Sequence, residues 1–89
     1  MKMKHDFVLR HIVGEYVLIP MGKGALEFSG MVSTNAVGAL ILEKLRTNTS
    51  REEIVAAICA EFEIDEATAT ADMEQFLARL ETVGLLENQ

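Results

Sequence analysis

Phe7-Val8-Leu9-Arg10-His11-Ile12-Val13-Gly14-Glu15-Tyr16-Val17-Leu18-Ile19-Pro20 is the stretch on which the fold turns. Its first half is rich in β-branched and aromatic residues, which suit a pleated, half-buried surface. With a period of two, Phe7, Leu9 and His11 face one way and Val8, Arg10 and Ile12 the other. Gly14-Glu15 offers the Gly-X pair of a type II′ turn, because glycine takes positive φ cheaply at the first position. Tyr16 to Ile19 returns as a second strand and stops at Pro20, which cannot donate to a ladder. The stretch therefore predicts an antiparallel hairpin.

Further along, Met21-Gly22-Lys23-Gly24 reads as a flexible connection. A third strand is expected over Ala25-Leu26-Glu27-Phe28-Ser29, resuming at Met31-Val32 with Gly30 as a bulge or bend. Helical periodicity then takes over. Ser33-Thr34-Asn35 are three good N-cap residues, and Val37, Leu40, Ile41 and Leu45 recur on one face after them. Thr49 with Glu52, or Ser50 with Glu53, makes a capping box for a second helix that buries Ile54, Val55, Ile58 and Phe62. Asp65 caps a third helix with Ala69, Met73, Phe76, Leu77, Leu80 and Val83 inward. Gly84 is a C′ residue, and Leu85-Leu86 are placed to pack back on the core. The fold class is α+β: a three-stranded antiparallel sheet followed by a three-helix, winged helix-turn-helix-like bundle.

At 89 residues the chain holds one domain with one modest core, expected over 1–89 with 1–6 disordered. Apolar residues are 49% and charged residues 25%, the balance of a folded protein. No apolar run approaches the roughly 20 residues that cross a bilayer. The basic start, Met1 to Asp6, is followed by no apolar h-region, so no secretory signal is expected and a cytoplasmic location is. Cys59 is the only cysteine, which excludes an internal disulfide and a multi-cysteine zinc site. Charge is unevenly spread: residues 1–46 carry six Lys/Arg against four Asp/Glu, and residues 47–89 carry two against ten. An acidic C-terminal half repels phosphate and disfavours nucleic acid as a partner.

Catalytic chemistry finds little to work with. Cys59 lies in the apolar pattern of the second helix beside Ile58, the place of a structural thiol. His5, Asp6 and His11 would be a thin metal set near the chain start, with His5 and His11 on opposite strand parities, and solvent-facing strand histidines are the better reading. Glu61, Glu63, Asp65 and Glu66 form a charge run between helices, the usual solvated partner of a helix N-terminus. Gly22 and Gly24 lead into a strand, so they fail the context of a phosphate loop. The reading is a non-enzyme without cofactor or metal.

Binding features are stronger. Three strands leave two sheet edges, each a row of unpaired N–H and C=O groups. The third strand carries one charge, Glu27, amid Leu26, Phe28, Met31 and Val32, and an extended peptide can add beside it. The helices also fit a winged-helix DNA reader, but the third offers Arg79 alone against Asp65, Glu66, Asp72, Glu74 and Glu81.

Taken in order, these stretches resemble the PqqD-like family, the peptide-binding modules also called RiPP recognition elements. The resemblance runs from Phe7 to Glu87. It is carried by Phe7-Val8-Leu9-Arg10 through Gly14-Glu15-Tyr16-Val17-Leu18-Ile19-Pro20, then Phe28-Ser29-Gly30-Met31-Val32 with Asn35 and Val37-Gly38-Ala39 beyond. Leu45, Thr49 to Val55, and Phe76-Leu77-Ala78-Arg79-Leu80 through Gly84-Leu85-Leu86 complete it. Ala36 stands where the family often has Glu, and Leu42 where it has an aromatic residue.

The resemblance implies a non-catalytic peptide chaperone. The leader of a ribosomal precursor peptide would add beside the third strand, in the groove that strand makes with the third helix, and be presented to a modifying enzyme, commonly of the radical S-adenosylmethionine type. Carried over by position, the peptide-binding residues would be Leu26, Glu27, Phe28, Met31 and Val32 on the strand side. Asp72, Met73, Gln75, Phe76 and Arg79 would form the helix side. The acidic helix suggests a leader with Lys or Arg. The same edge is also open to a second copy of the chain, giving a homodimer. The alternative is a winged-helix-like regulatory or scaffold subunit that binds a protein partner instead of a leader.

Overall fold

In the computed structural model, which describes residues 1–27 and 31–87, the hairpin forms where the alternation places it. After a short strand β1 (Lys2–Met3), β2 (Phe7–Ile12) pairs antiparallel with β3 (Glu15–Pro20), from Phe7 opposite Pro20 to Ile12 opposite Glu15. The turn is Val13-Gly14, not Gly14-Glu15: both residues have positive φ, 44° and 78°, the sign pattern of type I′. That places a β-branched residue in the left-handed region, with Gly14 carrying the second positive φ at no steric cost. At the turn end of the face that carries Phe7 and Leu18, His11 stacks on Tyr16, its cross-strand partner, with ring centroids 4.2 Å apart.

The segment expected as the third strand differs most. Residues Lys23–Glu27 form a short helix, α1, and the strand that completes the sheet, β4, is Val32–Thr34. Two turn-type hydrogen bonds, Gly24 N to Met21 O and Ala25 N to Gly22 O, start α1. Gly22, at φ 58°, turns the chain out of β3 before the alternation can continue. Phe28, Ser29 and the proposed Gly30 bulge lie outside the described residues. Sheet order is β2-β3-β4, all antiparallel, so the three-stranded meander stands with its last strand shifted toward the C-terminus.

Three longer helices follow as expected. Asn35 caps α2 (Ala36–Lys44), its Oδ1 accepting from Gly38 N at 3.0 Å. Ser50 caps α3 (Arg51–Phe62) through the Glu53 N–H, so the capping box is Ser50/Glu53. Asp65 caps α4 (Glu66–Thr82) through the Thr68 N–H at 2.7 Å. Gly84, at φ 77°, and the bond from Leu85 N to Leu80 O close the end of α4.

Leu85 and Leu86 do pack back on the core, and they bring the N-terminal segment with them. Leu86–Glu87 is a strand, β5, antiparallel to β1, with Met3 opposite Leu86. Met3 N donates to Leu45 O and Lys4 N to Leu85 O. The reading of 1–6 as disordered is therefore corrected: Met3 is only 6% exposed and belongs to the core. The signal missed was that a lone methionine between two lysines can be a two-residue strand when another chain end supplies its partner. Leu18, Ile41, Leu42, Leu45, Ile54, Ile58, Leu77 and Leu80 are the fully buried centre of that core. Burying each contributes roughly 1.5–3 kcal/mol.

Candidate functional site

β4 is an edge strand, with β3 on one side only. Its register pairs Val32 with Leu18, Ser33 with Val17 and Thr34 with Tyr16. Along such a strand both backbone groups of a residue point to the same side, and successive residues alternate sides. The Ser33 carbonyl accepts from Arg79 Nη1 of α4 at 2.9 Å, so Ser33 turns its backbone groups away from β3, toward the open edge. Val32 points its side chain inward, 2% exposed, while Ser33 is exposed.

Beside that edge lies a groove of about 330 Å³ between the start of α2 and the outer face of α4. Thr34, Val37, Gly38 and Ile41 form one wall, and Asp72, Gln75, Phe76 and Arg79 the other. The i, i+3, i+4, i+7 spacing of the α4 set puts all four on one stripe of the helix. Phe76, 8% exposed, is at once a core residue and the apolar floor. Asp72 and Arg79 stand two turns apart, about 10 Å along the helix, with opposite charge. Gly38 makes the close approach of α2 to β4 possible, since a Cβ there would press into Thr34.

The arrangement can hold an extended segment, with Phe76 and Val37 as its apolar contacts and Thr34, Asn35, Asp72, Gln75 and Arg79 as its polar ones. Among the described residues no group of three His, Cys, Asp or Glu could hold a metal ion. Cys59 is half-buried on α3 and lines a different groove, between α3 and α4.

Residues 15–86 match the family model described as coenzyme PQQ synthesis protein D (PqqD). The chain belongs to the PqqD family. A solved structure, TbiB1 in complex with the TbiA(β) leader peptide, is similar over 100% of this chain and 98% of TbiB1. The TM-score is 0.73 and the sequence identity 36%, enough to carry the fold and more. No curated protein matches this chain.

Against this PqqD-family frame the residues carried over by position divide. Asp72, Gln75, Phe76 and Arg79 line the groove together. Met73 does not: it is 1% exposed and turns to the core and the α3 side, because it sits one position off the stripe. Val32 lies in β4 but faces the core. Leu26 and Glu27 lie on α1, not on a strand, with Leu26 87% exposed. Met31, 70% exposed, immediately precedes β4, and Phe28 lies outside the described residues. The residues missed were Ser33, Thr34, Val37, Gly38 and Ile41. Ser33 and Thr34 read as cap candidates because their hydroxyls suit a cap, and Asn35 then took that role. The signal available was that a cap needs only one of the three, leaving two to finish the strand.

Proposed function

We propose that this chain is a non-catalytic binding module for the leader segment of a ribosomal precursor peptide, taken up as an added strand beside β4 in the groove with α4. The observation that carries it is the outward-facing backbone of Ser33, unpaired by any strand, beside a groove floored by Phe76 and lined by Asp72, Gln75 and Arg79. Support comes from the likeness to TbiB1, which is held in complex with a leader peptide and is similar to this chain over its whole length.

The energetics suit delivery and release. An added strand of about five residues gains several backbone hydrogen bonds worth about 0.5–1.5 kcal/mol net each. Two or so apolar leader side chains over Phe76 and the exposed Met31 add roughly 1.5–3 kcal/mol each. Ordering the peptide removes about 1–2 kcal/mol per backbone residue. The gains and the ordering cost largely offset, so binding is moderate rather than tight, and the partner that receives the peptide is a modifying enzyme.

The test is a titration of isotope-labelled protein with the leader of a precursor encoded beside the gene, followed by backbone amide shifts. Shifts concentrated at 31–38 and 72–79 support the groove. Shifts elsewhere, or none with any neighbouring leader, leave the scaffold role in the lead.

A further inference from the structure

Arg79 is oddly employed. It lies on a helix with Asp72, Glu74 and Glu81, yet among the described residues no carboxylate pairs with it. Arg46 and Arg51 hold Glu43 and Glu74, whereas the Arg79 guanidinium hydrogen-bonds the neutral carbonyl of Ser33, 46 residues away. That carbonyl belongs to the middle residue of β4 and points out of the sheet, the position an added strand's N–H must reach. The edge is thus capped by the chain's own cation, a guard against pairing with a second copy.

We propose that Arg79 is both the latch of this groove and its specificity-determining residue: a leader takes over the Ser33 carbonyl with a backbone N–H and gives the released guanidinium an Asp or Glu side chain. This inference rests on the leader-binding reading and sharpens it. A leader with Gln at the facing position strips a charge-assisted hydrogen bond and returns a weaker one. A leader with Lys there sets cation against cation. A basic leader residue remains compatible with the groove two turns away, beside Asp72. The groove therefore reads charge order along the leader.

The test uses the neighbouring leader displayed with each position varied in turn to Glu, Gln and Lys, sorted on the wild-type chain and on Arg79→Gln and Arg79→Glu. Arg79 is exposed, and matched melting curves establish that all three proteins are folded alike. On the wild type, one leader position is expected to favour Glu over Gln by about fivefold, a difference of about 1 kcal/mol. Arg79→Gln levels that preference and Arg79→Glu turns it to Lys at the same position. Leader binding with no Glu preference at any position, or a Glu preference that survives Arg79→Glu, overturns the inference and leaves leader binding intact. A leader that binds none of the three proteins overturns both.

Discussion

The space a side chain at Gly38 would need is already filled by Thr34: a Cβ built on Gly38 overlaps the threonine hydroxyl and comes within 2.8 Å of its Cβ and 2.9 Å of its Cγ2. The groove wall depends on that approach, since it lets the first turn of α2 lie against the end of β4. Gly38→Ala gains roughly 1 kcal/mol of helix propensity but forces an overlap that costs typically 1–3 kcal/mol. The overlap wins, because the atoms met include a β-carbon that cannot move without its strand. Chemical denaturation should show Gly38→Ala destabilised by up to about 2 kcal/mol. Thr34→Ala in the same chain should recover part of the loss. Equal loss with and without Thr34 would mean that the glycine matters for another reason.

Asp65 predicts a pH dependence. Its carboxyl is held below the ordinary 3.8 first by the hydrogen bond from the Thr68 backbone N–H and then by the Thr68 side chain. A lowered folded value means that the stabilisation is fully present above about pH 4 and is lost as pH falls through the folded value. Asp65→Asn keeps a capping oxygen but cannot titrate. The difference in melting temperature between wild type and Asp65→Asn should therefore be constant from neutral pH to about pH 4 and shrink below it. A constant difference down to pH 2 would refute the assignment.

Arg46 closes the opposite side of the sheet. Its guanidinium lies 4.2 Å from the Phe7 ring centroid, donates to the Phe7 carbonyl at 3.1 Å and pairs with Glu43. A planar fork does all of this at once, and an ammonium cannot. Arg46→Lys should cost about 1 kcal/mol in denaturation. Because the site is remote from the α4 groove, leader affinity should stay within about twofold of wild type.

Much of this was legible in the residues. The hairpin, the cap Asp65, the short runs that hold the caps Asn35 and Ser50, and the inner face of α4 follow from periods and hydroxyl or carboxylate side chains, which are local signals. The edge at Ser33 was not, because Ala25-Leu26-Glu27 alternates like a strand while only the exit through Gly22 decides that it coils into α1. The pairing of Lys2–Met3 with Leu86–Glu87 joins the two ends of the chain and leaves no periodic trace over two residues. Within α4 the face toward the groove and the face toward α3 differ by a single position, which is why Met73 and Phe76 both read as groove residues and only Phe76 is one.

That one-position offset supplies a paired test of the binding groove. A charge at Phe76 is a poor probe, because the ring is 8% exposed and Phe76→Asp would damage the core before it blocked a peptide. Gln75 is exposed and lines the groove, so Gln75→Trp fills the groove with an indole while leaving the helix and the core intact. Glu74, its neighbour, turns to α3 and pairs with Arg51 at 2.9 Å. Losing that exposed ion pair in Glu74→Trp costs about 0–1 kcal/mol. Calorimetric titration with the leader should show Gln75→Trp weakened by about tenfold or more, the loss of one good apolar contact or hydrogen-bonded pair. Glu74→Trp should bind as the wild type does. Equal weakening by both would place the peptide on neither face in particular, and weakening by Glu74→Trp alone would move the site to the α3–α4 groove beside Cys59.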